Sequence, residues 1–197
     1  MDIPRILQHS VELLELRGEE VDEYKQKLHE IDQHRFYNEM ILMRTKNLTV
    51  FYAFSKDSFK ELWASIRVMD LETMEKTYNT LQFILILQEY PPSITLQAIQ
   101  AKDRALQEKG GFLQIFLTKE LMYNPTKHEL VPKHKKMTEE EATELVETMQ
   151  LKSKNQLPFI QKTDVIARWL GLQAGEIVKI TRYTETSGKY YYYRVCV

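Results

Sequence analysis

His128 and Glu129 have the residue types that open a zinc-protease helix, where a second histidine one turn on completes the metal site and the glutamate acts as general base. Pro132 occupies the place of that second ligand, so the motif fails. His128 and His134 have no third ligand close by in sequence, and a structural or solvated role suits both. Glu23 and Lys25 form the E-x-K triplet that metal-dependent nucleases gather at a sheet edge, yet here the triplet falls on an amphipathic helical stretch. Neither a G-x-x-x-x-G-K-[ST] phosphate loop nor a G-x-G-x-x-G dinucleotide turn is present. Cys196 stands in an apolar run, where a cysteine packs as a small hydrophobe rather than a nucleophile. The tyrosines Tyr190 to Tyr193 could stack bases, but alternation along a strand lets at most two of them share one platform, which favours core packing and protein contact. Lys127, Lys133, Lys135 and Lys136 could touch phosphate or an acidic partner, and a solvated basic connector suits them better. The expectation is a chain without catalytic residues, metal site, cofactor or small-molecule substrate.

The elements that must carry these residues follow from hydrophobic period and turn chemistry. The chain has 197 residues, 43% of them apolar, enough for one good core or two small ones. Its longest apolar run, near Phe83 to Gln88, falls far short of the roughly 20 residues of a bilayer span, and its single cysteine suits a reducing compartment. Residues 1–124 hold 15 basic and 19 acidic side chains, whereas residues 125–197 hold 12 and 9. Neither balance supports strong autonomous binding to a phosphate backbone. Helices are expected from Pro4 to Arg17 and from Glu19 to Glu30, then strands at Asn47 to Phe54 and Ala64 to Met69, and a helix from Asp70. Leu81 to Leu87 reads as a strand buried on both faces, and Pro91–Ser93 opens a helix that Gly110 and Gly111 end before a last apolar run. Residues 1–124 therefore form an α/β domain with a helical N-terminal extension. Residues 125–137 read as a connector. Beyond it, Thr138 and Glu141 make a capping box, Asp164 caps a short helix that Gly171 ends, and Ile177–Ile180 and Tyr190–Val197 read as strands, which makes residues 125–197 a small α+β domain.

Five ordered blocks carry a family likeness: HELVPKH (His128 to His134), QLPFIQKTD (Gln156 to Asp164), ARWLGL (Ala167 to Leu172), GEIVKI (Gly175 to Ile180) and RYTETSGKYYYYR (Arg182 to Arg194). Together they resemble the fifth shared subunit of eukaryotic-type DNA-directed RNA polymerases, whose small archaeal counterpart is similar to the C-terminal domain alone. A fainter resemblance continues upstream in RTKNLTVFYAF (Arg44 to Phe54) and LILQEYPPS (Leu85 to Ser93). The two-domain form fits a eukaryotic copy or one encoded by a large DNA virus. Val165 and Tyr183 stand where the family has prolines, and Glu89, Tyr90 and Pro91 depart from its upstream loop.

The resemblance implies a non-catalytic subunit of a multisubunit DNA-directed RNA polymerase. It implies a jaw-like first domain with a restriction-endonuclease-like fold lacking an active site, and a second domain that docks on the largest subunit. Pro92 and Ser93 match a family pair that would face downstream duplex DNA weakly, at a helix N-terminus. Gln156, Leu157, Pro158, Ile160, Asp164, Arg168, Arg182, Glu185, Thr186, Gly188, Tyr190 and Arg194 hold the densest family-like positions and are the expected subunit interface. Partners would be the largest polymerase subunit, other polymerase subunits and DNA, with no membrane. A cellular copy would reside in the nucleus, and a viral one in a cytoplasmic factory or the virion. The competing readings are a free-standing DNA-binding transcription adaptor and a metal-dependent nuclease.

Overall fold

The computed structural model of the chain describes residues 2–184, Thr186 and residues 188–197. The backbone divides into two compact units, Met1–Tyr123 and Asn124–Val197.

In the first unit, α1 (Ile3–Leu16) begins where the Asp2 side chain accepts the amide of Arg5, and α2 (Asp22–Glu30) and the single turn α3 (Arg35–Asn38) follow. A four-stranded sheet comes next, in the order β1 (Ile41–Arg44), β2 (Thr49–Ala53), β3 (Gln82–Leu87), β4 (Phe112–Leu117). The β1–β2 pair is antiparallel and the other two pairs are parallel, so the connections after β2 and β3 must cross over. They do so through α4 (Lys56–Val68) with α5 (Leu71–Tyr78), and through α6 (Ser93–Gln107).

The pleat sends alternate side chains to opposite layers. Phe51, Phe83 and Leu85 join Leu62, Ile66, Met74 and Leu106 of the crossover helices in one core. Val50, Ile84, Ile86 and Phe116 meet Leu13 and Leu14 of α1 on the other face. Both faces are covered, which is why β2 is buried at every position and β3 at all but the first. Each fully buried phenylalanine in this sheet contributes roughly 1.5–3 kcal/mol of transfer free energy.

Ala64–Met69, expected as a strand, is instead the last turns of α4 and its C-cap. Ser55 and Ser58 exchange capping hydrogen bonds that start the helix, and Leu62 and Ile66, one turn apart, both enter the core. The β-branched Ile66 and Val68 suggested a strand, but the helical spacing of the buried positions governs. β1 had no counterpart among the expected strands.

The second unit has its own four-stranded sheet, in the order β5 (Lys133–Lys136), β7 (Ile177–Thr184), β8 (Gly188–Cys196), β6 (Phe159–Ile160). Residues 133–136 of the supposed connector are thus an edge strand antiparallel to β7, a role that suits lysines because a charged edge resists pairing with other chains. α7 (Glu139–Thr148) starts at the Thr138–Glu141 capping box. α8 (Val165–Leu170) starts at Asp164 and ends at Gly171, whose φ of 66° needs no Cβ in the way.

Again two half-cores form. Ala167, Leu170, Val178, Ile180 and Cys196 pack on one side, and Ala142, Leu157, Ile177 and Val195 on the other.

Candidate assembly and nucleic-acid interfaces

On the second unit, the expected interface residues divide by orientation. Leu157 and Ile160 are buried in the two half-cores and shape the surface from beneath. Gln156 closes a short turn by accepting the Lys152 amide at 2.6 Å, and the exposed Pro158 offers its carbonyl to the Val195 amide at 3.0 Å. Asp164 spends its Oδ1 on the amides of Ile166 (2.8 Å) and Ala167 (3.3 Å), so its first role is to cap α8. Arg168 is half-buried on α8.

The β7–β8 register sets Arg182 opposite Tyr190, Ile180 opposite Tyr192 and Val178 opposite Arg194, all on one face. There the guanidinium groups of Arg182 and Arg194 lie 5.3 and 5.6 Å from the centre of the Tyr192 ring, within cation–π range. Arg194 also donates to the Phe159 carbonyl at 2.9 Å, which ties β8 to β6. Tyr191 lies on the opposite face, with Lys179 4.0 Å from its ring centre. The tyrosines therefore sort two and two, Tyr190 with Tyr192 and Tyr191 with Tyr193. Gly188 pairs with Thr184 at φ 64°, and Thr186 is exposed. Glu185 lies outside the described residues.

Between β6 and α8 is an open hollow of about 420 Å³ lined by Phe159, Gln161, Asp164, Val165 and Arg194. Phe159 and Val165 are 53% and 47% exposed, large apolar groups that share this hollow with Asp164 and Arg194. The expected interface omitted both. Alternation sends Ile160 into one half-core and Phe159, paired with Val195, to the other face, where it stays 53% exposed. His134, opposite Ile180 in β5, has its pKa pushed below 6.5 chiefly by burial. A hydrogen bond with the Pro132 carbonyl and the charge of Asp164 oppose that shift, while Arg182 and Arg194 add to it.

On the first unit, Pro92 and Ser93 are exposed at the start of α6, where Pro92 is the N-cap and no side chain caps the free amides. Glu89 and Tyr90 are exposed in the loop before them. The E-x-K pair does not converge on a site: Glu23 bonds Lys27 at 2.6 Å and Lys25 bonds Glu15 at 2.7 Å, both on the surface. Among the described residues no three histidine, cysteine or acidic side chains gather as a metal site. Cys196 is buried, which raises its thiol pKa and leaves it a core hydrophobe.

Residues 123–196 match the family model described as RNA polymerase Rpb5, C-terminal domain, which covers the second unit almost end to end. The chain is 45% identical over 114 residues to the DNA-directed RNA polymerases I, II, and III subunit rpabc1 of Dictyostelium discoideum, a stretch that is 58% of this chain and 56% of that protein. It is 52% identical over 85 residues to the RPABC1 subunits of Caenorhabditis briggsae and Caenorhabditis elegans, 43% of this chain and 40% of each relative. The matches thus span about half the length of these relatives or less.

Proposed function

We propose that the chain is a non-catalytic subunit of a multisubunit DNA-directed RNA polymerase, docked on the largest subunit through its second unit. The match of residues 123–196 to the Rpb5 C-terminal domain carries the reading. The exposed hollow lined by Phe159, Asp164, Val165 and Arg194 supports it physically. Exposed apolar groups beside an arginine are the composition of an interface anchor, and Arg194, like Arg182 on the neighbouring strand, is held against Tyr192 before any partner arrives. The aspartate cap of α8 and the buried Leu157 and Ile160 fix the shape of that face.

In the same reading, the first unit forms part of a jaw beside downstream DNA, with a restriction-endonuclease-like fold that has lost its chemistry. A three-layer α/β unit whose Glu23 and Lys25 are occupied in surface ion pairs supports this. Pro92 and Ser93 would approach one phosphate through the uncapped α6 amides, weakly, since Glu89 repels it. A cellular copy would work in the nucleus and a virus-encoded one in a cytoplasmic factory or the virion.

Gentle purification of the tagged protein from its source tests the reading. An assembly of many subunits with RNA synthesis activity is expected to accompany it, and Arg182→Glu with Arg194→Glu to abolish that association while the isolated chain stays folded. Recovery of the protein without such an assembly would refute the reading.

A further inference from the structure

Along α4, Lys56, Phe59, Lys60, Trp63 and Arg67 fall at i, i+3, i+4, i+7 and i+11, a single stripe of the helix surface. The stripe forms one wall of a groove of about 870 Å³. Ala53 and Leu87, at the C-terminal ends of the parallel strands β2 and β3, floor it, and Tyr90 of the β3–α6 loop stands on the far side. Leu62 and Ile66 are fully inside the core, while Phe59 and Trp63 pack on its edge and keep part of their rings exposed along the groove.

The rim carries three cations against one carboxylate, Glu89. Lys60 keeps an exposed 2.9 Å contact with Asp57, and among the described residues no acidic side chain pairs with Lys56 or Arg67. Phe59 and Trp63 are half-buried and Tyr90 is 53% exposed, so three aromatic rings share with the apolar Ala53 and Leu87 a lining to which Ser55, Gln88 and Thr95 add polar groups.

We propose that this groove docks an acidic peptide segment of a partner protein, anchored by aromatic or leucine side chains one helical turn apart. The charge selects the occupant: acidic residues would meet Lys56, Lys60 and Arg67 along the rim, while apolar anchors on the same helix face enter between Phe59, Trp63 and Leu87. A stripe of 12 residues, Lys56 to Arg67, is roughly 16 Å long at about 1.5 Å per residue, which matches three turns of a docked helix. A nucleic acid backbone fits less well, because it would lay charged phosphates over an apolar floor and against Glu89.

A fluorescein-labelled synthetic 14-residue peptide tests the assignment. It would be built of aspartate and glutamate with phenylalanine and leucine at i, i+4 and i+7, and titrated with the full chain by fluorescence anisotropy. Saturable binding is expected that weakens as salt rises and falls at least tenfold in the variant Lys56→Glu with Arg67→Glu. Both positions are exposed, so that variant keeps its fold and its circular dichroism spectrum. Trp63→Ala is expected to weaken binding as much without steepening the salt dependence. Absence of binding, or binding that the double charge reversal leaves unchanged, overturns the proposal. So does tighter binding of a duplex or single-stranded oligonucleotide that the same reversal abolishes, since that would give the groove to nucleic acid. The isolated chain suffices, so the result does not depend on assembly into a polymerase.

Discussion

The first unit keeps a chain of hydroxyls inside its core. Tyr24 Oη and Tyr52 Oη are 2.6 Å apart, Tyr52 Oη and Ser10 Oγ 2.7 Å, and Ser10 donates to the Leu7 carbonyl at 2.7 Å. Burial pushes the Tyr52 phenol up to about 12 and that of Tyr24 well above its ordinary value, so both stay neutral and the chain is one of shared protons. Tyr52→Phe strands the Tyr24 and Ser10 hydroxyls without their shared partner and is expected to cost about 1–3 kcal/mol in urea unfolding. Gly111 matters for a different reason. A Cβ there would press into the Leu81 carbonyl, which already accepts the Phe112 amide, so Gly111→Ala is expected to lower the free energy of unfolding by about 1–3 kcal/mol, read as a lower denaturant midpoint. His134 makes the second unit sensitive to pH. Its folded pKa lies below 6.5, so as pH falls through 6.5 the unfolded chain takes the proton first and stability declines until the folded state is protonated as well. Thermal melts between pH 7.5 and 5 should show that decline and show it flattened in His134→Gln. Glu141, held below its ordinary 4.5 first by Lys135, loses its contribution only further toward acid.

Helix ends decide much of the element scale. Lys102 of α6 donates to the carbonyls of Ile66 and Met69 where α4 ends, at 2.5 and 2.6 Å, which satisfies groups the helix itself cannot. Lys102→Met should keep the side-chain volume and still cost about 1–2 kcal/mol, read as faster amide exchange in the last turn of α4 and the first of α5. Where ends carried a chemical mark, the sequence was legible: the Thr138–Glu141 box, the Asp164 cap, Gly171 and the proline before α6 all lie where their chemistry requires. The doubly buried β3 was legible for the same kind of reason, an unbroken apolar run of strand length. Ala64–Met69 was not, because six residues are too few for the helical period of Leu62 and Ile66 to outweigh β-branched composition. β5 was hidden by its lysines, since an edge strand with one inward histidine has almost no apolar pattern to read. The expected interface did not separate Leu157 and Ile160, which look inward, from Phe159, which looks outward, because the alternation of so short a strand emerges only from its pairing with β8.

At the scale of the whole molecule, two units of opposite formal charge each close a sheet between helices and each possess a core of their own. The acidic first unit and the basic second one make unaided DNA binding by the isolated chain weak, and electrophoretic mobility shifts with duplex DNA at physiological salt are expected to show none below micromolar protein. The chain has two tryptophans, and they are divided between the units: Trp63 half-buried on the surface stripe of α4, and Trp169 at 1% exposure inside α8. That division gives each unit its own optical reporter. In a Trp63→Phe background, excitation selective for tryptophan follows the second unit alone, with a blue-shifted maximum that moves red when its core opens. In a Trp169→Phe background the first unit is followed alone, and its emission should also be quenched or shifted when the groove beside Trp63 is filled. The Tyr52→Phe and His134→Gln effects can then be assigned to one unit or the other by colour of emission, without separating the two by proteolysis.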